Sequence, residues 1–154
     1  MKGSLAKAVL GEFENQLRQA LPDFKRMTDK DLPSVCRLYG YKIGESLSLY
    51  VQFQTHRSED SFTVEIAWSR HDLWPIPFMV NPPSHDEAAD REAARFRLGA
   101  LWTSRDVWWD VKSAAVAPAQ VKDAVTHLTK EGLSYFSSVA DRLGLSLQRD
   151  EDVR

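Results

Sequence analysis

Cysteine is nearly missing from this chain: Cys36 stands alone in 154 residues. An internal disulfide is therefore excluded, as are a multi-cysteine zinc site and an iron–sulfur cluster. Such usage fits a reducing compartment. Long apolar runs are missing too, and no stretch approaches the roughly 20 residues that span a bilayer. The opening MKGSLAKAVLGEFENQL spaces its apolar residues helically, and Glu12 and Glu14 interrupt it, so no secretory signal is expected. Neither sign of charge dominates. Twenty Lys and Arg against 22 Asp and Glu give a formal net charge of -2 and a pI near 6.1. That balance provides no general pull toward nucleic acid or anionic lipid. The sequence has no GxGxxG or GxxxxGK[ST] phosphate loop, no GxSxG nucleophile motif and no HExxH. No internal repeat or low-complexity segment occurs. The expectation is a soluble, cytoplasmic protein with one domain over 1–154, a frayed charged tail over 144–154, and neither cofactor nor metal.

What is present is a clear alternation. SLSLYVQFQT, 46–55, sends Leu47, Leu49, Val51 and Phe53 to one side. SFTVEIAWS, 61–69, does the same with Phe62, Val64, Ile66 and Trp68. HRSED, 56–60, joins them as a hairpin connection, and VCRLYGYKI, 35–43, reads as a preceding strand. Eight apolar side chains on one face need a cover. Residues 3–21 supply one candidate, a helix with Leu5, Val9, Phe13, Leu17 and Leu21 at spacing four, ended by Pro22. Residues 23–34 read as a connection. The stripe Val121, Val125, Leu128, Gly132, Phe136, Val139 and Leu143 supplies the second helical cover, opened by Pro118. A kink or break is expected near Gly132. Residues 86–98 read as a helix capped by Ser84, or with a strand beginning near Arg95; residues 106–113 read as a strand. The fold class expected is α+β: an N-terminal helix, an antiparallel meander of four to five strands, and C-terminal helices packed on one face.

The other face of the hairpin carries Gln52, Gln54, Thr63 and Glu65. A solvated sheet surface is the simplest expectation for it. Asp60 and Glu65 resemble the carboxylate pair of metal-dependent nucleases, but Ala67 stands where that chemistry wants a lysine. A pocket on this face would make Glu65 an acid/base candidate, with Gln52, Gln54, Arg37 or His56 orienting a substrate. His56, His71, His85 and His127 form no close set. Cys36 is expected to be a buried small hydrophobe.

Residues 70–87, RHDLWPIPFMVNPPSHDE, hold four of the seven prolines and read as a long loop. Trp74 and Phe78 lie in it, with Arg91 and Arg95 beyond on one expected helical face. Of adjacent Trp108 and Trp109, one ring must point out. Tryptophan and arginine are common interface anchors. They also suit single-stranded nucleic acid, although Asp86, Glu87, Asp90 and Glu92 interleave and disfavour that reading.

The run CRLYGYKIGESLSLYVQFQTHRSEDSFTVEIAW, followed by paired tryptophans and a helical C-terminal region, resembles small bacterial α+β domains of domain-of-unknown-function family 4304. The resemblance is one of order and spacing over most of the chain. It implies a role like that of immunity or accessory proteins in bacterial toxin systems, and it carries no catalytic residues. The leading functional expectation is therefore a non-enzymatic protein-interaction module. Its contact surface would be Trp74, Phe78, Arg95, Trp109, Gln52, Gln54 and Glu65. The rivals are a pocket around Glu65 and, third, nucleic-acid binding. The sequence does not give the oligomeric state.

Overall fold

A computed structural model of the chain describes residues 1–147. Most of the expected charged tail lies outside those residues. Helix α1 (Gly3–Ala20) leads, followed by strands β1 (Lys25–Met27), β2 (Cys36–Ile43), β3 (Leu47–Thr55) and β4 (Ser61–Arg70). After a long connection come β5 (Ala93–Arg97) and β6 (Trp109–Asp110), then α2 (Ala117–His127) and α3 (Leu133–Arg142). The class is α+β, as expected. The sheet has six strands, antiparallel in meander order from β1 to β5.

Strands β5 and β6 share one edge of β4. Arg97 to Ala93 pair Glu65 to Ser69, and Asp110 and Trp109 pair Ser61 and Phe62. With β5 occupying most of that edge, the strand expected over 106–113 shrinks to two residues. The helix expected over 86–98 shrinks likewise, to a 3₁₀ segment at His85–Asp90. The Ser84 side chain bonds Glu87 rather than capping the backbone. Ala94, Phe96 and Leu98 are buried at period two, so the open edge of β4 selects a strand here. Arg91 and Arg95 therefore do not share a helical face. Strand β1 falls in the expected connection; its three residues are all exposed and give no alternation to read.

One face of the sheet holds the main core. Val9, Phe13 and Leu17 of α1 pack on it, with Phe13 against Phe53 at 4.8 Å and Tyr39 at 6.0 Å. Val121, Val125, Leu128, Phe136 and Val139 pack beside them. Each large apolar side chain buried this fully contributes about 1.5–3 kcal/mol. The backbone stays helical through Gly132, with a π-helical segment at Leu128–Gly132 in place of a break. No described helix is long and apolar enough to cross a membrane.

Candidate functional site

The second face of the sheet is laid out in rows fixed by the register. Leu38, Gln52, Glu65 and Arg97 form one row across β2 to β5; Gly40, Tyr50, Ala67 and Arg95 form the next. Cys36, Gln54 and Thr63 form a third. This face is not the solvated surface expected. Glu65 is only 2% exposed and Gln52 6%, and Thr63 is buried as well. Thr63 donates to the Val107 carbonyl at 2.7 Å, and the rest of the cover is the β4–β5 connection, residues 71–84, which folds back over the sheet as a strap. Ile76 packs with Leu38, Tyr50 and Ala67 in a small second core.

The strap is tacked down along its length. His71 and Asp72 take positive φ to turn the chain out of β4. Asp72 then accepts from Lys42 Nζ at 2.8 Å and from Ser48 Oγ at 2.8 Å, bonds that hold its carboxyl below the usual range. Trp74 lies tilted on Tyr50 at 4.9 Å and donates its ring N–H to Asp29 at 2.9 Å. Asp29 also accepts from the Asp31 amide, and this bond, then Trp74, lowers its carboxyl from the ordinary value. A latch thus joins the strap to the β1–β2 connection. Further along, the Ile76 carbonyl accepts from Arg95 Nη1, and the Met79 amide donates to the Arg95 carbonyl.

Beneath and beside the strap lies a cleft of about 960 Å³. Its floor includes Cys36, Leu38, Gly40, Tyr50, Gln52 and Gln54; Trp74, Pro75, Asp29, Leu32, Arg57 and Arg95 are among its walls. Glu65 anchors the arginine side. Arg95 Nε donates to its Oε1 at 2.6 Å, and Arg97 Nη1 bonds its Oε2. Arg97 also pairs with Asp106 at 3.1 Å. Phe78 covers both guanidiniums, at 5.7 and 5.3 Å, and Trp108 faces Arg97 at 5.1 Å. With both oxygens held by guanidiniums, Glu65 is placed to orient Arg95. Among the described residues no group of three or more His, Cys, Asp or Glu could hold a metal ion. Burial pushes the Cys36 thiol up, as does the charge of Glu65, against the pull of Arg95, Arg57 and Arg97. The thiol is thereby kept protonated, and it accepts from Gln52 Nε2 at 3.7 Å.

The sequence candidates divide accordingly. Gln52, Gln54, Trp74 and Arg95 line the cleft; Glu65 lies behind Arg95, and Phe78 covers Arg95 from outside. Trp109, expected on the contact surface, is only 6% exposed: it stacks on Phe62 and donates to Asp123 at 2.8 Å. Arg37 points to the helical side, beside α1. His56 is a turn residue, its Nδ1 accepting from the amides of Ser58 and Glu59, and it does not line the cleft. Asp60 lies exposed in the same hairpin connection. Residues the sequence reading passed over are Arg57, Tyr50, Leu38, Asp29 and Asp72. Tyr50 alone had a signal, sharing parity with Gln52 and Gln54. Comparison with protein-family models, curated proteins and solved structures finds no match.

Proposed function

We propose that the chain is a binding protein whose ligand, a small molecule, occupies the strapped cleft. What carries this reading is the roofing of the polar sheet face: buried Gln52 and Tyr50 and half-buried Gln54, Trp74 and Arg95 border open space of about 960 Å³. That volume lies in the range of small-molecule sites, which set aromatic and apolar walls beside convergent polar groups, as Leu38, Tyr50 and Trp74 stand beside Gln52, Gln54 and Arg95 here. The reading is binding rather than catalysis, because the acid/base candidate Glu65 is committed to two arginines. Native mass spectrometry of the purified chain against a fractionated metabolite extract tests it. Wild type should retain a small molecule that Gln54→Trp, which puts an indole into the cleft, does not retain at similar melting temperature. Equal retention by both chains, or no retained mass, contradicts the reading.

A second reading is favoured by the strap's outer side, where Phe78 is 44% and Val80 76% exposed, with Leu73 exposed as well. These would anchor a protein partner. This reading carries the immunity-type or accessory role in a bacterial cytoplasm that the resemblance to family 4304 implies. Phe78→Ser with Val80→Ser should then abolish capture of a stoichiometric partner from host lysate. Capture undiminished by the double variant contradicts it.

A further inference from the structure

We propose that the ligand of the cleft is a small carboxylic acid with an apolar body, its carboxylate held by Gln54, Arg57 and Arg95 and its body lying on Tyr50 and Trp74. This rests on the cleft being the binding site.

Two cations that line the cleft, Arg57 and Arg95, point to an anion. Two guanidiniums, of Arg95 and Arg97, share the single buried carboxylate of Glu65, and Asp106 pairs with Arg97 and accepts from the Trp108 ring N–H. Arg95 uses Nε toward Glu65 and Nη1 toward the Ile76 carbonyl; its Nη2 has no partner among the described residues. Arg57 lines the same cleft and its side chain makes no ion pair among the described residues. The acids of the cleft are engaged elsewhere or exposed: Asp72 by Lys42 and Ser48, Asp29 by Trp74, and Asp31 in the β1–β2 connection.

The amides agree with the charge. Gln52 is nine-tenths buried, yet among the described residues its nitrogen meets only a thiol sulfur, a weak acceptor, at 3.7 Å. Gln54, next on the same face of β3, makes no side-chain hydrogen bond among the described residues. A planar guanidinium beside planar amide donors matches a planar carboxylate. Spacing supplies the body. Tyr50 lies one step along β3 from Gln52, about 7 Å away. There its ring and that of Trp74, 4.9 Å apart, offer an apolar seat in the same cross-strand row as Arg95.

The test is isothermal titration with benzoate, phenylacetate, hexanoate and decanoate, each beside its primary amide. At least one acid should bind roughly tenfold or more tightly than its amide. Arg57→Gln should weaken the acid severalfold and leave the amide unchanged; Arg95→Gln should remove the preference. Arg57 is exposed, so its variant decides the matter where Arg95→Gln fails to fold. Acid and amide binding equally, both blocked by Gln54→Trp, overturns the carboxylate and leaves the cleft as the site. Acid binding untouched by Gln54→Trp overturns both. Binding of no acid overturns the carboxylate, while the metabolite screen still decides the cleft.

Discussion

Two guanidiniums converge on the carboxylate of Glu65, which is almost wholly buried. Removing that carboxylate leaves Arg95 without an acid partner while Arg97 keeps Asp106, and breaking a buried pair costs about 3–5 kcal/mol. Glu65→Gln is therefore expected to lose about 3 kcal/mol in denaturant unfolding; a loss below about 1 kcal/mol would show that water reaches the two arginines. Neighbouring residues show how far sequence reasoning reached. Alternation alone placed Gln52, Gln54 and Glu65 on one face. It assigned them to water because nothing local reveals what folds over a sheet. The strap's effect depends on Ile76 and Trp74 meeting Leu38, Tyr50 and Asp29, contacts between segments distant in the chain. Trp109 was misplaced for the same reason: parity says that one of two adjacent tryptophans is inside, and the choice rests on Phe62 and Asp123.

Among the elements, the turn after β5 is tightly constrained. A Cβ added at Gly99 would come within 2.6 Å of Val107 Cβ, close to the backbone that hydrogen-bonds Thr63. Overpacking of this kind costs about 1–3 kcal/mol. Gly99→Ala is thus expected to lower stability by about 2 kcal/mol in thermal or denaturant melts. No loss would mean that the 102–108 segment yields freely. The C-terminal helical region was legible in its stripe, and even its irregularity left a trace. Two successive spacings of four, Leu128 to Gly132 to Phe136, coincide with the π-helical segment, whose wider turn keeps all three facing the core. Strand β5 was harder to read. Residues 86–98 carry helix formers, and the unpaired edge of β4 overrides that propensity.

At the scale of the whole molecule, helices cover one face of the sheet and the strap part of the other. Buried Tyr39 and half-buried Tyr135 tie the helical layer to its surroundings. Tyr39 donates to Glu14 of α1, and Tyr135 of α3 donates to the Pro83 carbonyl and accepts from Trp68. Burial raises both phenols from the ordinary 10.0, Tyr135 to about 12, and the Glu14 bond adds to the rise at Tyr39. A raised folded pKa gives stability that is complete below the unfolded value and lost as pH rises above it. The protein should therefore hold its stability up to about pH 10 and lose it progressively from there toward pH 12, with Tyr135→Phe flattening the slope. A flat profile across that window would place both hydroxyls in water.

The central claim is that the cleft, and not the outer strap, receives the ligand. Its most direct measurement is a titration of the ¹⁵N-labelled chain with the small molecule retained in the metabolite screen, followed by amide chemical shifts. Shifts confined to residues 36–40, 50–54, Arg57, the Trp74 ring N–H and Arg95 are the predicted result. Shifts centred on Phe78 and Val80, with the cleft amides and the Trp74 ring unmoved, would contradict it.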